Sequence, residues 1–261
     1  IGSFEEQWEL QREKFNTWNY RESGGFYGVG ITEEATQIWQ PGWVGGGMSS
    51  YALMKLGGKK EWERGMSTLR HLFRTQGPSG LFYGMCTQEG ELRNDAFGHA
   101  GAEDWVLIRK SADVLYFLFK HFRLIQENGQ RIPEEFLTGT RKLADRFVAL
   151  WQEYGQFGQF VNIRTGKIAA GGSTSAGIAP AALVSAYEFF GDPIYLETAE
   201  ESGEMYFNRD ASRGYTTGGP GEILQGPDSE SAFGLLESFV RLYEATGEKK
   251  WLERSVFMAD F

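Results

Sequence analysis

Four times along the 261 residues a glycine-aromatic loop follows a polar, periodic segment: Gly24-Gly25-Phe26-Tyr27-Gly28, Gly80-Leu81-Phe82-Tyr83-Gly84, Gly155-Gln156-Phe157-Gly158 and Gly214-Tyr215-Thr216-Thr217-Gly218. Successive copies lie roughly 55–75 residues apart, room for two helices and a connection. One such unit cannot bury its own apolar face, so the units must stack. The chain therefore reads as an array of helical hairpins, with these loops gathered on one face.

The helical segments alternate in character. Phe4 to Trp18 carries Phe4, Trp8, Phe15 and Trp18 mostly on one side. Trp43 to Leu56 is the next helix, and Glu61 to Phe73 shows a stripe of Trp62, Met66, Leu69 and Phe73. Asp104 to Phe122 is apolar on nearly every side, as a helix buried all round must be. Pro133 to Trp151 returns to a stripe. Ala176 to Phe190 is again small and apolar, and Asp192 to Phe207 amphipathic, with Asp192 as N-cap and Pro193 at the first helical position. Asp228 to Glu244 is mostly apolar, and the stretch from Lys249 amphipathic.

A second signature marks each inner-to-outer turn. Gly58 is followed four residues later by Trp62, Gly191 by Tyr195 and Gly247 by Trp251. The glycine is expected to end the inner helix in a left-handed cap, and the ring to dock the outer helix against it. The turn near Gly129 departs from this, with Pro133 in the place of the ring.

Buried and half-buried helices alternating in a repeated hairpin describe an inner ring inside an outer one. With the turn Leu242-Tyr243-Glu244-Ala245-Thr246-Gly247-Glu248-Lys249-Lys250-Trp251-Leu252 and the glycine-aromatic loops, this resembles the six-hairpin glycosidase superfamily. The resemblance spans essentially the whole chain and rests on structural residues. It implies an all-α fold, an (α/α) toroid forming a single domain over residues 1–261, with short β-hairpins in the outer-to-inner loops. One lone outer-type helix and four inner–outer pairs are legible. A closed ring of six would need roughly one and a half more hairpins, so an incomplete ring or a fragment is expected. A helical solenoid is the structural rival.

Composition excludes several classes. The net charge is −9 and the pI near 5.0, against the basic stripe that nucleic acid demands. Cys86 is the only cysteine, so neither an internal disulfide nor a cysteine-rich metal site is expected. No apolar run reaches about 18 residues, the length of a membrane span. Gly45-Gly46-Gly47 and Gly171-Gly172-Ser173-Thr174-Ser175 follow no strand and lack the P-loop lysine. No cofactor and no metal are expected.

The long connections run from outer to inner helices, so chemistry is sought at the inner-helix N-termini. Carboxyl groups there are Asp95, Glu103, Asp104, Glu222, Asp228 and Glu230. Glycoside hydrolysis needs one protonated and one ionised carboxyl across the scissile bond. Asp104, Glu222, Asp228 and Glu230 are the catalytic candidates, although helix capping alone accounts for Asp104 and Asp228 and the helix dipole for Glu230. Trp39 and Trp43 flank a turn and suit sugar stacking or a hydrophobic staple. Trp105, Gln225 and His99 are further substrate-binding candidates. Arg109 reads either as a clamp on a carboxylated sugar or as the ion-pair partner of Asp104 or Asp113. With 3 histidines, and only His99 on the loop side, paired-histidine proton abstraction is not supported.

The resemblance implies a carbohydrate-active enzyme acting on an oligosaccharide or polysaccharide, most simply an inverting glycoside hydrolase. A polysaccharide lyase or sugar epimerase of the same fold is the alternative. A non-catalytic glycan-binding or scaffold protein is the rival from another class.

Overall fold

The computed structural model describes residues 2–29, 39–42, 47–87, 90–95, 100–219 and 226–260. A lone helix, α1 (Phe4–Lys14), precedes four helix pairs: α2 (Met48–Leu56) with α3 (Lys59–Arg74), α4 (Ile108–Glu127) with α5 (Glu134–Tyr154), α6 (Ala179–Phe190) with α7 (Pro193–Arg209), and α8 (Glu230–Thr246) with α9 (Lys249–Ala259). Each helix packs on its own partner. In addition α2 packs on α4, α4 on α6 and α6 on α8, while α3 packs on α5 and α5 on α7. Two concentric rows result, the (α/α) toroid fold, with α2, α4, α6 and α8 inside. The core lies between the rows, where Leu115, Leu118 and Phe122 of α4 and Leu183 and Val184 of α6 are buried with Phe136, Phe147 and Tyr206 of the outer row.

The inner-to-outer turns behave largely as their sequence requires. Gly191 and Gly247 end α6 and α8 at φ +75° and +71°, a conformation cheap only for glycine. Tyr195 and Trp251, four residues on, are fully buried. The Tyr195 hydroxyl donates to Asp145 at 2.6 Å, tying α7 to α5. Gly58 differs: its backbone is extended, and its N–H donates to the Glu61 carboxylate at 2.8 Å, so a first-turn acid replaces the left-handed cap.

The outer-to-inner loops carry the short strands. β1 (Tyr20–Arg21) pairs with β2 (Phe26–Tyr27), and β3 (Met85–Cys86) with β4 (Leu92–Arg93). β5 (Trp105–Leu107) joins β6 (Phe160–Asn162) and β7 (Ile168–Ala170) in an antiparallel sheet of three. Tyr27, Phe82 and Phe157 of the glycine-aromatic loops are buried and fix each loop to the core, whereas Tyr215 is exposed.

Some boundaries move. α4 begins at Ile108, four residues beyond the expected Asp104, because residues 105–107 pair with β6 instead. The first helix becomes a π turn at Phe15–Asn19, and Phe4 and Trp18 of its expected apolar side are exposed.

Two histidines are structural. The His71 ring stacks on Phe26 at 4.1 Å and meets Trp39 edge-on. His121 Nδ1 donates to the Phe117 carbonyl at 2.7 Å, leaving Nε2 3.1 Å from the Ser50 hydroxyl of α2. Burial pulls both imidazoles down to about 4, with Arg74 adding to the effect at His71. Below the ordinary histidine value of 6.5 the unfolded chain takes up protons that the folded chain refuses, so stability falls as pH drops from 6.5 towards 4. His71→Phe is expected to keep the ring stack and to remove roughly 2 kcal/mol of that acid-side loss, read from urea midpoints at pH 7 and pH 4.

Candidate active site

The inner helices are not apolar all round. Along α4, Arg109, Asp113, Tyr116 and Lys120 recur at helical spacing; along α8, Glu230, Glu237 and Arg241 do the same. These stripes face one another. Arg109 Nη1 donates to the Glu230 carboxylate, and the Tyr116 hydroxyl donates to Glu237. Both partners advance by seven residues from one pair to the next, so the two helices run in the same direction. At 1.5 Å per residue the rungs stand about 10 Å apart.

Between and beside these rungs lies a cleft of about 540 Å³. Its walls include Phe233, which is 70 % exposed, Phe117, and Met48 of α2; Gly177 and Ile178 ahead of α6 complete it. A Cβ on Gly177 would lie 3.0 Å from the Ser231 carbonyl oxygen, so a larger residue here would press this segment away from α8.

Asp113 is the distinctive group. Its side chain is 15 % exposed and its Oδ2 lies 3.5 Å from Arg109 Nε. Gly42 packs so tightly that a Cβ there would sit 3.0 Å from the Asp113 Cβ. Burial pushes the Asp113 carboxyl up to about 6; Glu230 pushes the same way, and the Arg109 guanidinium opposes it only in part. A carboxyl near this value is partly protonated in neutral water and can deliver a proton. Glu230 stands at the rim with its side chain 47 % exposed, reachable by water. Deeper in, burial and the Glu237 carboxylate raise the Tyr116 phenol above its ordinary value. The Lys120 ammonium sits 4.4 Å from the Tyr116 ring centre, and burial lowers its pKa.

A larger groove, about 980 Å³, lies on the outer row among Leu137, Arg141, Arg146 and Phe190. Its Asp145 already accepts from Tyr195, and Arg141 covers the Phe190 ring at 4.2 Å. It lacks facing carboxyl groups on inner helices, which makes the axial cleft the better candidate.

Of the residues singled out in the sequence, Arg109 and Glu230 line this cleft together. Asp228 lies just before α8 and serves as a cap: Oδ1 accepts from the Ser231 N–H at 2.7 Å and Oδ2 from the Gly219 N–H at 2.9 Å. Asp104 precedes β5, holds Arg164 Nε at 2.8 Å and does not line the cleft; helix α4 is entered instead through Leu107, with no side-chain cap. Trp105 lies in β5 with its ring against Phe160. Trp39 is fully buried against His71 and bridged to Cys86, so it presents no face to a ligand. Asp95 is buried and bound by Lys110. Trp43, His99, Glu222 and Gln225 lie outside the described residues. Sequence reasoning misses Glu237, Tyr116 and Phe233; their spacing on the same faces as Arg109 and Glu230 is the signal that finds them.

No protein-family model and no curated protein sequence matches the chain. Solved structures do. A GH76 α-mannanase from Bacteroides thetaiotaomicron superposes with a TM-score of 0.66 at 13% identity, over 98% of this chain and 68% of that one. The cellobiose 2-epimerase from Spirochaeta thermophila gives 0.64 at 12%, over 91% and 64%. The unsaturated glucuronyl hydrolase from a Bacillus species gives 0.57 at 12%, over 83% and 59%. These structures share the (α/α) toroid fold of this chain. The chain spans roughly three-fifths to two-thirds of the length of these proteins.

Proposed function

We propose that this chain carries the catalytic cleft of a carbohydrate-active enzyme, an inverting glycoside hydrolase working on an oligosaccharide or polysaccharide. The observation that carries the proposal is the raised Asp113 carboxyl one helical turn from the Arg109–Glu230 pair, in a ring-walled cleft at the inner-helix N-termini. Structural likeness to the α-mannanase, the glucuronyl hydrolase and the epimerase supports sugar chemistry of some kind.

In this reading Asp113 gives its proton to the glycosidic oxygen as the bond from that oxygen to the anomeric carbon breaks. Water attacks the same carbon from the opposite side and passes a proton to Glu230. Arg109 positions Glu230 and stabilises it as an anion until it receives that proton. Phe233 and the Tyr116–Glu237 rung form the walls that hold the sugar. Asp228 is left out of the chemistry because its oxygens are committed to Gly219 and Ser231. Glu222 stays a candidate for the second carboxyl: it follows by three positions Gly219, whose carbonyl oxygen lies 3.3 Å from Arg109 Nη1. Of the 3 histidines, His71 stacks on Phe26 and His121 is buried on Phe117 and Ser50, which leaves one for the loop face and favours hydrolysis over epimerisation by paired imidazoles.

The test is proton NMR of products released from a panel of mannan, glucan and uronate-containing oligosaccharides. A first-formed anomer opposite to that of the substrate is expected. Retention would overturn the inverting assignment, ultraviolet absorbance from a new C=C bond would select a lyase, and an epimerised sugar of unchanged length would select an epimerase.

A further inference from the structure

Resting on the sugar-enzyme reading above, we infer that the cleft selects neutral sugars and rejects carboxylated ones. Arg109 is the cation nearest the mouth, and in the sequence it invites a role as a carboxylate clamp. In the fold that role is already taken within the protein. Nη1 is bound by Glu230 and by the Gly219 carbonyl, and Nε faces Asp113 at 3.5 Å. Both bidentate edges of the guanidinium include a committed nitrogen, so a uronate could grip it with two oxygens only by displacing Glu230 or Asp113. The exchange replaces one carboxylate by another and leaves the displaced one unpaired beside an incoming anion, which is a net repulsion.

The other charges in the cleft reinforce this. Lys120 is spread over the Tyr116 and Phe117 rings within the field of Glu237. Among the described residues the two cations are matched by Glu230 and Glu237 even when Asp113 is neutral, so the cleft holds no surplus positive charge for an anion. A neutral sugar meets none of this opposition. Its C–H faces can lie on exposed Phe233, and its hydroxyls can bridge rungs that both donate and accept hydrogen bonds.

The experiment is calorimetric titration of the wild-type chain and of Glu230→Gln with thio-linked, hydrolysis-resistant trisaccharides. One probe is a neutral manno- or gluco-trisaccharide, and the other the same length ending in glucuronate. The wild type is expected to bind the neutral probe at least tenfold more tightly. Glu230→Gln frees the guanidinium and is expected to strengthen uronate binding about tenfold, with a dependence on salt. Tighter uronate binding by the wild type would overturn the inference while leaving a sugar-cleaving enzyme in place. Binding of neither probe, together with no product from the glycan panel, would bring down the carbohydrate reading itself. The wild-type ratio decides the question even if the variant does not fold.

Discussion

Asp113→Asn is expected to lower kcat/KM about a thousandfold, the middle of the range for loss of a general acid, while the variant melts no earlier than the wild type at pH 7. The two halves of this expectation have one cause. The Asp113 carboxyl is raised from 3.8 to about 6 in the folded chain, mainly by burial. Its neutral form is favoured by folding, so its contribution to stability is complete below pH 3.8 and is lost as pH rises through 6. At neutral pH the native protein carries a buried carboxylate at a cost of about 2–3 kcal/mol. An amide of the same shape removes that cost together with the catalytic proton. The gain in melting temperature should therefore be clear at pH 7–8 and vanish near pH 4. A variant that keeps full activity, or that melts early at pH 7, would show Asp113 to be a structural partner of Arg109 and no more. Glu230→Gln should match it in lost turnover, and because the Glu230 charge helps to hold the Asp113 carboxyl up, the alkaline limb of the pH–rate profile should move to lower pH in that variant.

Lys110→Met is expected to produce the largest loss of stability. Lys110 Nζ lies 2.5 Å from Asp95 Oδ1 and 3.0 Å from the Gly84 carbonyl, and the Leu107 N–H donates to Asp95 Oδ2 at 2.8 Å. Asp95 is fully buried, and Lys110 is the cation paired with it among the described residues. Removing one partner of such a pair costs about 3–5 kcal/mol, roughly 10 °C in Tm for a chain of this size. Adding Asp95→Asn to Lys110→Met should recover part of the loss, because the stranded charge is then gone. A Tm within about 2 °C of wild type for the single variant would show that water reaches Asp95. The network matters beyond stability, because it ties the two ends of the β3–β4 hairpin, at Gly84 and Asp95, to the entry of α4, the helix that carries Arg109 and Asp113.

The fold was legible wherever its determinants are local. A glycine that must turn left-handed and a ring four residues on are read from one short window, and Gly191–Tyr195 and Gly247–Trp251 behave as that window requires. Where a distant partner decides, the sequence reads differently from the structure. Residues 105–107 pass for the start of a helix because nothing near them announces β6, more than fifty residues away. Trp39 reads as a loop indole free to stack on a sugar, but its backbone bridge to Cys86 draws it into the core. The candidate site was half legible. Arg109 stands out as a cation on a buried helix, and Glu230 is among the carboxyl candidates although the helix dipole alone accounts for it. Asp113 was weighed only as a partner for Arg109, because the apolar mass of Val114, Leu115, Leu118 and Phe119 hides a narrow polar stripe. No sequence pattern states how deeply a helix's polar stripe will be covered by distant segments such as Gly42, and burial is what raises Asp113.

The most direct test of the account is a crystal structure of the Asp113→Asn variant soaked with an oligosaccharide that the wild type cleaves. The account predicts a sugar between the Arg109–Glu230 and Tyr116–Glu237 rungs, with a glycosidic oxygen within about 3.2 Å of the side chain at position 113. A sugar seated instead in the outer groove by Arg141 and Phe190, with the axial cleft empty, would contradict it.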